Sequence, residues 1–138
     1  MKKRIIFGIL LSFVCGAATV HFVEEYYSTN ESNAAYSYGL ILLKNGKKDQ
    51  SIAVFNQAIG LNINNYKPYI SLGRLYEKSG KKDFAIEYYE KALELCRPVN
   101  SIEKEDKKYI ENRLNIIRYE KEKKWTRNRR KARKAGHP

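Results

Sequence analysis

The chain has 138 residues, 43% hydrophobic and 30% charged, with a net charge of +12. That length leaves room for about five helices and a small core, and two cysteines exclude a disulfide framework. The surplus of Lys and Arg favours an anionic partner.

The first element is the segment Met1-Lys2-Lys3-Arg4 followed by the uncharged run Ile5–Val23. As a helix this run reaches about 28 Å, close to the hydrocarbon thickness of a bilayer. Two readings stay open: a retained signal-anchor over 1–23, or a signal peptide cleaved near Gly16-Ala17-Ala18 and a secreted product. Apolar character persists through Val20, Phe22 and Val23, which favours the anchor. Cys15 does not fit a lipoprotein site, because Ser12-Phe13-Val14 lacks the expected Leu and small residue. Basic residues precede the span, Glu24, Glu25 and Glu31 follow it, and the next cation is Lys44. The expected topology keeps the amino terminus cytoplasmic and exports the rest to a periplasm or an extracellular face. Residues 24–31 are polar and short, and are expected to form a linker.

Residues 32–65 laid over 66–99 give ten identical pairs in 34. They include Gly39/Gly73, Gly46/Gly80, Lys47-Lys48-Asp49/Lys81-Lys82-Asp83, Ala58/Ala92 and Leu61/Leu95, while Phe55/Tyr89 keeps an aromatic. A period of 34 with these residues is a helix–turn–helix repeat. Gly39 and Gly73 fall inside helices, where Gly is costly, so a partner helix is expected to approach closely there. Gly46 and Gly80 fit left-handed helix stops. In the second copy Tyr69, Leu72-Gly73, Tyr76, Gly80, Ala85, Tyr89, Ala92 and Pro98 resemble the tetratricopeptide repeat. The resemblance covers 32–99 and implies antiparallel helix pairs stacked in a right-handed superhelix, with a role in protein–protein contact.

Residues 101–134 read as one further helix, opened by Ser101 as N-cap. Ile102, Tyr109, Ile110, Leu114 and Ile117 lie on one face at helical spacing. Over 100–120 this resembles the helix that closes such arrays, and 121–138 is a basic tail. Residues 118–138 hold ten Lys or Arg and two Glu, +8 in all. The cations Lys121, Lys123, Lys124, Arg127, Arg129, Arg130, Lys131, Arg133 and Lys134, with Trp125 among them, suit anionic lipid, a polyanionic polymer or RNA. The expected export disfavours nucleic acid. Cys96 is expected at a helix end, partly buried.

No phosphate-binding Gly loop, paired-histidine metal helix or paired-cysteine site occurs, and His21 and His137 have no catalytic companion in sequence. Neither a cofactor nor enzymatic activity is expected. By the resemblance, the first helix of each repeat lines a concave face, here Tyr36, Leu40, Lys44, Lys67, Ile70, Arg74 and Lys78. Relatives that clamp a terminal carboxylate place Lys and Asn where Tyr36 and Leu40 stand, so that ligand is not expected. The reading is an all-α chain: an N-terminal transmembrane helix, two tetratricopeptide-type repeats, and a long closing helix with a basic extension. Its expected role is a membrane-anchored scaffold binding other membrane or envelope proteins, with self-association extending its small core. The alternative is an anion-binding protein acting through the tail.

Overall fold

The computed structural model describes the backbone of residues 17–136 and the side chains of Glu24 and residues 26–136. It is all-α, with α1 Ala17–Lys44, α2 Lys48–Leu61, α3 Tyr66–Lys78, α4 Lys82–Leu95 and α5 Ser101–Lys134. Contacts divide the chain into two compact units between Pro68 and Tyr69, inside α3. Most of the expected span over 1–23 lies outside the described residues. Among those described, no helix is long and apolar enough to cross a membrane.

In the first unit α1 packs along α2. A Cβ on Gly39 would lie 2.5 Å from the Phe55 ring, so the missing side chain is what lets the ring in. Phe55 is fully buried, and burying such a ring is worth about 1.5–3 kcal/mol. Residues 24–31 are not a linker; they belong to α1. The reason is a polar seam. Ser32 Oγ donates to the Ala58 carbonyl at 2.7 Å, and Ser28 Oγ donates to the Leu61 carbonyl. The last carbonyls of a helix are short of intrahelical donors. Of these two hydroxyls, one turn apart on α1, Ser28 supplies one to Leu61, while Ser32 adds a second donor to Ala58, which already accepts from Asn62 N–H at 3.1 Å. Asn62 Nδ2 donates to Thr29 Oγ1 at 3.0 Å, and Asn65 Nδ2 to Ser32 Oγ at 2.9 Å. The α2–α3 turn is thereby tied to α1.

The second unit repeats the device. A Cβ on Gly73 would lie 2.9 Å from the Tyr89 ring, which is fully buried. Tyr76 stacks between Phe84 and Tyr88, with centroids 5.4 and 5.2 Å away. The inter-helix turns of the two repeats match. Gly46 and Gly80 have φ of 76° and 73°, and Lys47 N–H and Lys81 N–H donate back to Leu42 and Tyr76 carbonyls, each at 2.9 Å. Such six-to-one bonds after a left-handed Gly are the Schellman stop.

α5 is continuous from Ser101 to Lys134, about 51 Å at 1.5 Å per residue. Its N-cap is Asn100, not Ser101. The Asn100 side chain accepts from Glu103 N–H at 2.9 Å, and Glu103 returns a carboxylate to Asn100 N–H. The capping box thus sits one residue before the expected position. Ile110, Leu114 and Ile117 are buried as the periodicity predicts, but Ile102 is 66% exposed.

Candidate partner-binding surfaces

The seven residues expected to line one groove divide between the two units. In the first, Tyr36, Leu40 and Lys44 follow one another at four-residue steps along α1. Tyr36 is half-buried against Phe55, with centroids 5.8 Å apart. Leu40 is exposed, as are Lys44 and Lys67. Tyr36 is therefore held against the repeat's own core, while Leu40 and Lys44 lie at the surface.

In the second unit the expected surface is altered by α5. Arg74 Nε donates to the Tyr109 hydroxyl at 3.0 Å, and its guanidinium lies 4.3 Å from that ring's centroid. Glu77, about one turn beyond Gly73 on α3, takes both Nε and Nη2 of Arg113, the former at 3.2 Å. The Tyr89 hydroxyl donates to Glu77 Oε2 at 3.0 Å and lies 3.4 Å from the Tyr109 hydroxyl. Burial, then the Tyr109 hydroxyl and the Glu77 carboxylate, push the Tyr89 phenol well above its ordinary range, so it stays a donor. Ile70 is buried, at 6% exposure, and is no surface anchor. Lys78 is exposed. The face of α3 expected to receive a partner is thus engaged by the chain's own last helix. The sequence places Tyr109 on the apolar face of the closing helix, but nothing in its spacing names Arg74 as its partner, and no pattern pairs Arg113 with Glu77.

α5 runs without interruption through Lys121 into the basic segment. Arg118 pairs with Glu90 at 2.5 Å, Glu120 with Lys82 at 2.5 Å, and Lys121 with Asp83. The Lys82 ammonium holds the Glu120 carboxyl below its usual range. From Lys123 onward the cations change character. Lys123, Lys124, Arg127, Arg129, Arg130, Lys131, Arg133 and Lys134 are exposed, and none forms an ion pair among the described residues. Arg129 lies over the Trp125 ring at 5.0 Å. Lys123, Arg127, Arg130 and Lys134 recur at helical spacing, so they share one face.

Cys96 caps α4 and is 4% exposed, with its thiol directed at the Glu103 carbonyl 3.6 Å away. Burial pushes the thiol up, ahead of the nearby Asp106 and Glu103 charges, which makes it a poor nucleophile. Among the described residues no group of three or more His, Cys, Asp or Glu could hold a metal ion.

Residues 32–65 and residues 66–97 each match a family model described as tetratricopeptide repeat. The chain is also 33% identical over 63 residues to anaphase-promoting complex subunit 3 of Schizosaccharomyces pombe, an alignment covering 46% of this chain and 10% of that protein. The chain therefore spans about a tenth of the length of that curated relative. The two segments are tetratricopeptide repeats, and repeats of this kind imply a protein–protein interaction scaffold.

Proposed function

We propose that the chain is a membrane-anchored scaffold that recruits other membrane or envelope proteins, as a subunit or assembly factor of a larger complex. The observation that carries this reading is the pairing of two tetratricopeptide repeats with a 19-residue uncharged run behind a basic amino terminus. The orientation, with the repeats on the exported side, rests on the charge asymmetry around that run. The similar yeast protein is by name a subunit of a complex, which supports an assembly role. Partner contact is assigned to the first repeat, through Leu40 and Lys44, because α5 engages Arg74 and Glu77 of the second.

Membrane fractionation with intact-mass measurement tests the anchor. The mature chain is expected to keep residues 1–23 and to stay with membranes through a carbonate wash. A soluble chain beginning near Ala18 or Thr19 would instead make the product secreted.

A second reading has its own support. The exposed cations from Lys123 to Lys134 have no acidic partner among the described residues, as suits a grip on anionic lipid, polyanionic polymer or RNA. Association through that surface would weaken steeply with salt.

A further inference from the structure

The second unit carries a cleft that neither the repeats nor the basic stripe accounts for. It lies between the start of α4 and the middle of α5, with a volume of about 520 Å³. Its apolar contributors are Phe84 and Trp125, which are 53% and 59% exposed. Single exposed aromatics are ordinary on a surface. Here two of them, from different helices, line one cleft.

Each ring is partly held. Phe84 stacks on Tyr76 at 5.4 Å, and Trp125 has Arg129 at 5.0 Å. The cleft's two carboxylates are already taken, Glu120 by Lys82 and Asp83 by Lys121. These pairs join α4 to α5 across the cleft and leave Lys81 and Lys124 as its cations without an ion pair among the described residues. Lys81 lies 6.0 Å from the Tyr76 ring. The cleft is therefore apolar, net positive and braced before any ligand arrives.

We propose that this cleft is a docking site for an acidic peptide segment of another protein, which inserts one aromatic or large aliphatic side chain between Phe84 and Trp125 and sets flanking carboxylates on Lys81 and Lys124. Charge complementarity selects this occupant. A neutral apolar ligand would leave both ammonium groups without a counter-charge, and a polyphosphate would make no use of the two rings. A second copy of the chain is disfavoured by its net charge of +12. The cleft shares no residue with the strip on α1, so it stands or falls independently of partner binding at Leu40.

Trp125 is the sole tryptophan of the chain, so its emission reports on the cleft directly. Full-length protein in neutral detergent micelles would be titrated with a short blocked peptide containing Asp-Phe-Glu-Glu-Leu. Two control peptides would replace Phe and Leu by Ser, or the acids by Asn and Gln. The proposal expects a saturable emission shift with the first peptide and little with either control. It also expects Phe84→Ser and Lys124→Glu each to weaken binding by about tenfold. Phe84 is half-exposed, so its replacement should fold; if circular dichroism shows otherwise, Lys124→Glu carries the same reading. Equal shifts with the charge-only peptide would overturn the proposal in favour of unspecific polyanion binding. So would affinity unchanged in both variants, an equal emission shift with phosphatidylglycerol vesicles, or emission that tracks protein concentration together with a doubled mass by light scattering.

Discussion

Gly39 and Gly73 sit where added atoms would enter a buried ring, whereas a Cβ on Gly60, also helical, would meet nothing within 4 Å. Ala at Gly39 or Gly73 is therefore expected to destabilise by about 1–3 kcal/mol through overpacking. Ala at Gly60 should stabilise by about 0.5–1 kcal/mol, since it removes only the entropic cost of Gly in a helix. Thermal melts of the three variants check both signs together. A second contrast separates two ion pairs. The side chains of Arg113 and Glu77 are 31% and 18% exposed, while those of Arg118 and Glu90 are 53% and 51% exposed. Arg113→Ala leaves Glu77 partly buried with only the Tyr89 hydroxyl, and should cost about 1–3 kcal/mol. Arg118→Ala should cost about 0–1 kcal/mol. Chemical denaturation of both measures the difference. The glycines were legible in the sequence, because a costly residue at equivalent places in two copies demands a packing reason. The partners of Arg74 and Glu77 were not, because long-range polar pairs leave no periodic trace.

At the scale of helices, α1 and α5 divide what hydrophobic patterning can and cannot disclose. The closing helix was legible through Ile110, Leu114 and Ile117. The amino-terminal part of α1 was missed because Ser28 and Thr29, on its packing face, read as a polar linker; with Ser32 of the first repeat, their hydroxyls act through hydrogen bonds at the end of α2. The cap of α5 was displaced by one residue because Ser101 and Asn100 both suit that position, and only Glu103 at the right spacing decides between them. Removing residues 121–138 takes away the exposed Lys121–Asp83 pair and no buried side chain, so cooperative melting should survive nearly unchanged. Leu114→Ala, at 2% exposure, should cost about 2–5 kcal/mol. Circular dichroism melts of both variants test whether the helix has this division of labour. Flotation of the shortened chain with anionic liposomes should also lose its salt-sensitive part.

Over the whole molecule, charge and repeat are segregated by sequence: residues 118–138 contribute +8 of the total +12, while residues 5–43 hold no cation apart from the titratable His21. A scaffold reading follows from the repeats, and an anionic partner from the tail; the two claim different surfaces and so can be separated. The seven expected groove residues illustrate why function was less legible than fold. A repeat pattern states which positions recur, but Ile70 is buried, and Arg74 is engaged by Tyr109 on a helix about thirty residues further on. Replacing Arg74 would therefore perturb folding as well as binding, and Leu40 is the cleaner probe. The direct measurement is photo-crosslinking in native membranes from a benzophenone side chain placed at Leu40, beside controls at Gln57 and Arg127. The account predicts a discrete adduct with a different protein from Leu40 and not from Gln57. Adducts that arise from Arg127 alone, with none from Leu40, would contradict a scaffold built on the repeats.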